Sequence, residues 1–243
     1  MDPDEIARRV ADLQLATENS TKIIRMTAQE SESENKKAST MLIGKIFADR
    51  QHPRDLLREK IPAVLQIRGY VDVEIVGFNV FVLHLDLETD LARILTDGPW
   101  HLFNDLMVIR RPDPLKTAST TEFIDISIWI QLHNLALACM NSRMVRRIGE
   151  KVGAVMEVEE GEGGRCLGKF ARARVLRSIQ EPLVRCVSIE VEGNKEPMMV
   201  LVLYEKLLDN FCFACGKIGH FLKNCDASKE AKAKPSFGNW LRA

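Results

Sequence analysis

The chain reads as α+β, and three observations carry that prediction. Between Met41 and Arg111 the apolar period switches between two and about 3.6 in the order β-α-β-β-α-β. From Phe123 a strand, a helix and four further strands follow. Cys212–Cys225 then places four metal-type ligands within fourteen residues. The first observation predicts a ferredoxin-like (RRM-like) sandwich, the second a smaller second α/β region, and the third a CCHC zinc knuckle.

Residues 1–40 read as a flexible N-terminal arm. Ile6, Val10 and Leu13 have helical spacing behind Asp2 and Asp4, and the polar run E-S-E-S-E-N-K-K-A-S follows. In the domain of residues 41–111, Met41–Ala48 is a strand, and Pro53–Gln66 is a helix interrupted near Pro62. Val71–Val76 and Asn79–Asp86 are alternating strands joined at Gly77-Phe78. Leu87–Thr96 is helical up to Asp97-Gly98-Pro99, and Asn104–Arg111 is the last strand. The sequence N-V-F-V-L-H-L lacks the glycine and paired aromatics of an RNP1 strand, so this domain is not expected to stack bases.

Residues 112–122 are a polar connector. In the second α/β region, 123–207, the strand Phe123–Leu132 shows a dominant isoleucine face. Asn141 and Ser142 cap a helix reaching about Val152, with Met144, Val145, Ile148 and Val152 inward and Arg143, Arg146, Arg147 and Lys151 outward. Ala154–Glu160, Leu167–Ile179, Arg185–Glu192 and Pro197–Leu207 read as strands of an antiparallel sheet. Gly161–Arg165 lacks both phosphate-loop spacings and reads as a hairpin turn. The region 208–226 holds the knuckle, and 227–243 reads as a basic flexible tail.

Charge and cysteine usage bound the function. A hydrophobic content of 46% allows a real core. The formal net charge is zero, but residues 206–243 carry 7 Lys/Arg against 3 Asp/Glu, an excess of +4 where phosphate attraction would need it. Three of the six cysteines belong to the knuckle, while Cys139, Cys166 and Cys186 lie in apolar, strand-like surroundings. That usage fits a reducing compartment, nucleus or cytoplasm. No apolar run reaches membrane-span length, and no membrane partner is expected.

Cys212, Cys215, His220 and Cys225 form a C-x2-C-x4-H-x4-C series. Three thiolates and one imidazole make a closed tetrahedral set, suited to one structural Zn2+ that would supply the segment's folding free energy. Gly216 is expected where the chain turns about the metal, and Gly219 where a side chain would crowd the sulfurs. A redox C-x-x-C pair would need neither His220 nor Cys225. Phe213, Ile218 and Phe221 are candidates to contact unpaired bases, and Lys217 and Lys223 to reach phosphates. The alternative is that these apolar side chains pack the knuckle onto the preceding domain.

A second candidate nucleic-acid surface lies on G-K-F-A-R-A-R-V-L-R, where period two puts Phe170, Arg172 and Arg174 on one face. The competing reading pairs these arginines with Glu150, Glu157, Glu159, Glu160 and Glu162. No catalytic constellation is evident. His52, His84, His101 and His133 lack a ligand or nucleophile pattern, and Asp86, Glu88 and Asp90 sit at a helix start, where the dipole favours acids.

Several stretches together resemble a known family: G-P-W-H at Gly98–His101, I-W-I-Q-L-H at Ile128–His133, I-G-E-K-V-G at Ile148–Gly153 and G-K-F-A-R-A-R-V at Gly168–Val175. They lead through Y-E-K-L at Tyr204–Leu207 into the knuckle. The series resembles the plant family that carries domain of unknown function 4283 followed by a CCHC knuckle, over about residues 40–225. Members are often related to LINE-type retrotransposons. The resemblance implies the ligands Cys212, Cys215, His220 and Cys225 and no chemistry elsewhere. The chain departs from the family pattern at Asn134, Cys166 and Leu208. The expectation is a non-enzymatic, zinc-dependent binder of single-stranded RNA or DNA, RNA ahead of DNA, with self-association or a protein partner as a further contact. The alternatives are an assembly adaptor and the template-binding part of a retroelement polyprotein.

Overall fold

A computed structural model describes Glu5, Arg9, Ile24, Thr27 and residues 38–190, 196–207 and 211–243. The N-terminal arm, with its helix on Ile6, Val10 and Leu13, otherwise lies outside the described residues, as does Leu208. The chain divides into two compact units. One is drawn from Met1–Lys45, Arg50–Leu95 and Ile109–Phe123, the other from Ile46–Asp49, Thr96–Val108 and Ile124–Ala243.

The fold is α+β and ferredoxin-like. The elements run β1 (Met41–Phe47), α1 (Arg54–Val64), β2 (Val71–Gly77), β3 (Val80–Leu85), α2 (Glu88–Thr96), β4 (Trp100–Leu102) and β5 (Asp105–Arg110). The sheet order is β2-β3-β1-β5-β4. With β5 as the fourth ferredoxin strand, this is the expected β-α-β-β-α-β arrangement plus the three-residue edge strand β4, which was not anticipated. Helix α1 runs through Pro62 without interruption and ends two residues later, although the proline has no amide to give the Arg58 carbonyl.

Leu57 and Ile61 of α1 and Leu91 and Ile94 of α2 are buried. Phe81 lies so close over Gly44 that a Cβ there would fall 2.3 Å from its ring. On the alternate face of these strands Ile43 and its cross-strand partner Val82 are buried too. The centre of that face is therefore covered as well, with Met41, Lys45, Val80 and His84 around it half-buried.

Asp90 ties α2 to the chain ahead of β2. Its Oδ2 accepts from the Gly69 and Arg68 amides (2.9 and 2.8 Å), and its Oδ1 accepts from Arg93 Nη2 (3.0 Å). These donors, the Gly69 amide foremost, outweigh burial and hold the carboxyl below its usual range.

The second sheet is separate from the first. Its elements are β6 (Asp125–His133), α3 (Ser142–Gly149), β7 (Ala154–Glu159), β8 (Ala171–Ser178), β9 (Cys186–Ile189) and β10 (Met198–Tyr204). Asn141 caps α3, its Oδ1 accepting from the Met144 amide at 3.0 Å. The order β7-β8-β6-β10-β9 repeats the strand order of the first sheet element for element. One part is missing: where α2 stands in the first sheet, the second has only an extended connection, residues 179–185.

Tyr204, at the end of β10, is fully buried and organises that connection. Its hydroxyl accepts from Arg177 Nη1 (3.0 Å) and the Val184 amide (2.9 Å), and donates to the Val184 carbonyl (3.0 Å). The buried Arg177 also donates to the carbonyls of Glu181 (3.2 Å) and Pro182 (2.7 Å).

Beyond the metal-ligand stretch, the segment expected to be a flexible tail is built into the structure. Helix α4 spans Lys229–Ala233, capped by Ser228, and a 3-10 turn covers Asn239–Leu241. Leu241 is 0% exposed, Arg242 forms a parallel bridge with Tyr204, and the Ala243 amide donates to the Tyr204 carbonyl (3.1 Å). The basic composition of this segment masked one apolar anchor. Among the described residues no helix is long and apolar enough to cross a membrane.

Candidate metal centre and nucleic-acid surface

The chain from Phe211 to Ile218 folds as a tight hairpin. Phe211 and Ile218 form an antiparallel bridge, the Cys212 amide donates to the Lys217 carbonyl (2.8 Å), and the Gly216 amide donates to the Cys212 carbonyl (2.7 Å). Gly216 has φ 71° and Gly219 φ 91°, both left-handed values that glycine adopts without penalty. At Gly219 the backbone angle is the reason. A Cβ there would meet Phe47 at 3.4 Å rather than the sulfurs.

This hairpin and the short turn Leu222–Asn224 bring Cys212, Cys215, His220 and Cys225 together. Their ligand atoms all lie within 4.8 Å of one another, and Cys215 Sγ is 3.4 Å from His220 Nε2. Tetrahedral zinc with bonds of about 2.3 Å to sulfur needs ligand atoms about 3.8 Å apart, so the cluster can hold a metal ion. Cys212 and Cys225 are buried with Ala214, and Cys215, Leu222, Ala227 and Ala231 pack around them. The Ala227 amide, 3.3 Å from Cys225 Sγ, is the leading influence holding that thiol down at about 7, whereas burial pushes Cys215 up to about 11. Holding a metal therefore means displacing protons from thiols in unlike surroundings.

The predicted base and phosphate contacts fare unequally. Lys217 and Lys223 are exposed, and Phe221 is half-buried with Lys223 Nζ 5.8 Å from its ring centroid. Lys223 Nζ also lies 3.5 Å from Asp49 Oδ2. Phe213 is half-buried against Phe211, with ring centroids 5.0 Å apart. Ile218 is only 5% exposed, and its amide donates to the Ile179 carbonyl (3.2 Å). Its side chain fills the interior and is not available to a base. This is a correction, and its cause is that the hairpin is docked. The Leu183 amide donates to the Gly216 carbonyl (2.8 Å), so the returning arm of the hairpin, at Gly216 and Ile218, bonds to the connection that replaces the missing helix.

The second candidate surface also changes character. Phe170 tilts against His133 with centroids 5.0 Å apart. Arg172 stacks on Trp129 (4.1 Å to the centroid) and makes a two-point pair with Glu205 (2.8 and 2.7 Å), with Glu159 3.3 Å away. Arg174 is 6% exposed and its Nε donates to Ser127 Oγ (2.7 Å). The competing glutamate reading holds for Arg172, with Glu205 a partner that sequence proximity did not reveal. This arginine lines a depression of about 460 Å³ in which Glu159, Glu160 and Glu162 outnumber Arg165 and Arg172, and Arg172 is already paired with Glu205.

No family profile and no curated protein matches the chain. Among solved structures, the C. elegans NONO-1 homodimer is similar at 11% identity and a TM-score of 0.26, over 68% of this chain. The chain spans 61% of the length of that NONO-1 chain. The first two RRM domains of yeast poly(U)-binding protein Pub1 align at 10% identity and a TM-score of 0.24, covering 56% of this chain and 81% of that one. RNA-recognition domains 1 and 2 of Drosophila Sex-lethal align at 14% and 0.26, covering 57% and 86%.

Proposed function

We propose that the chain is a zinc-dependent binder of single-stranded nucleic acid, RNA ahead of DNA, acting without catalysis. The observation that carries this reading is the Cys3His cluster within 4.8 Å, built by the hairpin and the following turn, which leaves Lys217 and Lys223 exposed and Phe221 half-buried. Zinc at Cys212, Cys215, His220 and Cys225 supplies a structural crosslink and no reactive position. Phe221 offers an aromatic face to a base, and the two lysines offer ammonium groups to phosphates. With two to four phosphate contacts, log Kd should change with log salt by about 1.4 to 2.8 in magnitude.

The test is anisotropy of a labelled single-stranded RNA titrated with the full chain, zinc-loaded and after chelation, with zinc content measured by mass spectrometry. Binding that requires one bound zinc supports the reading. A protein that keeps zinc and ignores RNA overturns it and favours an assembly adaptor. The motif series running from Gly98 into the knuckle is our ground for placing the chain with the plant domain 4283 family. A reverse-transcriptase frame downstream in the same transcript would mark it as the template-binding part of a retroelement.

A further inference from the structure

Two aromatic rings that the sequence left unassigned follow the metal-ligand stretch, each seated on a glycine, and the first lies on the metal hairpin. The Phe237 ring covers Gly216 so closely that a Cβ there would fall 2.4 Å from its atoms. Its amide donates to the Phe213 carbonyl (3.1 Å), and the exposed Arg185 places its guanidinium 5.5 Å from the ring centroid while donating to the Ser236 carbonyl (3.3 Å). Three residues on, Trp240 folds against Gly238, where a Cβ would sit 3.1 Å from the indole Cδ1 and Nε1.

Trp240 is nevertheless 54% exposed, and it is not on a loose end. Its turn is closed by the Leu241 amide on the Gly238 carbonyl (3.1 Å) and anchored by the fully buried Leu241. The indole is thus an outward aromatic surface whose backbone ordering is already supplied by the fold, which lowers the entropic cost of stacking anything on it. Charge selects the occupant. Residues 206–243 carry an excess of +4, and Lys217, next to Gly216, is exposed.

We propose that this segment extends the single-strand site by one stacking step. A base stacks on Trp240, and phosphates elsewhere on the same strand meet the exposed Lys217 and Arg185. The inference rests on the nucleic-acid reading above and adds to it a residue outside the metal hairpin. Stacking without base-edge hydrogen bonds makes the added step tolerant of sequence.

The experiment uses the zinc-loaded full chain and fluorescein-labelled decauridylate, comparing wild type with Trp240→Ala, Trp240→Phe, Lys217→Ala and Phe221→Ala. Trp240→Ala should weaken binding by about 5- to 150-fold, Trp240→Phe much less, and zinc content should not change. The salt dependence should stay the same in Trp240→Ala and fall by about 0.7 in Lys217→Ala. Unlabelled decauridylate should also quench indole emission in wild type, and Trp240→Ala should lose that quenching. Equal losses for Ala and Phe would overturn stacking. If Trp240→Ala binds like wild type while Phe221→Ala is weakened, this proposal fails and the metal-hairpin reading stands. If wild type ignores decauridylate and other single strands, the parent reading fails and takes this one with it.

Discussion

Replacing Tyr204 by Phe removes one oxygen and should loosen the whole connection between β8 and β9. That oxygen takes part in three hydrogen bonds of 2.9–3.0 Å, with Arg177 Nη1 and both backbone groups of Val184. Phenylalanine fills the same volume, so no cavity forms and the loss is polar. One guanidinium N–H of a buried arginine and the Val184 amide and carbonyl lose a partner. Each stranded neutral group costs about 1–3 kcal/mol and a charged one more, which puts the total at about 3–5 kcal/mol once relaxation is allowed. With a urea m-value of about 2 kcal/mol/M, the midpoint should fall by about 2 M at unchanged m.

Hydrogen exchange should show the loss first at Leu183 and Val184, before the strands. The pH profile adds an independent check. Burial pushes the Tyr204 phenol up to about 12, above its ordinary value of about 10. Its contribution is therefore complete below pH 10 and disappears as pH rises through 12, because the unfolded chain sheds the proton first. Wild type should show that alkaline loss and Tyr204→Phe should lack it. A destabilisation under about 1 kcal/mol, with exchange at Val184 unchanged, would refute the hub.

Asp90→Asn keeps shape but weakens three charge-assisted bonds, and should cost about 2–4 kcal/mol in thermal or urea unfolding of the first sheet. The Asp90 carboxyl is depressed in the folded state, so wild type should lose this contribution as pH falls below about 4 and through the folded value, and the variant should not. Gly216→Ala forces a Cβ into φ 71° and into the Phe237 ring, and should cost about 1–2 kcal/mol. It should still bind one zinc by mass spectrometry, while the Phe237 amide loses exchange protection.

The first sheet was legible because its period switches are sharp and each strand is long enough to show one. Strand β4 was not, since Trp100–Leu102 is too short for any period and pairs only through its hairpin with β5. The four ligands were legible from spacing alone, because the metal chemistry is local. The surroundings were not. A fourteen-residue metal stretch cannot bury Ile218 by itself, and the docking of its hairpin on Ile179 and Leu183 supplies the partner surface that the spacing does not reveal. Arg172 found Glu205 across 33 residues, a pairing fixed by strand register rather than proximity. The repeated strand order escaped notice because the second copy has lost the helix whose period would have announced it. In the segment 227–243, six apolar or aromatic side chains scattered among lysines hid the single buried position, Leu241.

The missing helix also sets an order of events during synthesis. The first sheet has both of its helices by the time residue 111 has left the ribosome. The second has all its strands once Tyr204 has emerged, but the hairpin at residues 211–218, which bonds to its bare connection, comes later, and Ala243, which bonds to the Tyr204 carbonyl, comes some forty residues on. For that interval Tyr204, Ile179 and Leu183 lack their final cover. On the proposed zinc-dependent reading, metal supply would set how long a translated chain is exposed to proteases and chaperones, a cost that a self-sufficient second helix would have avoided.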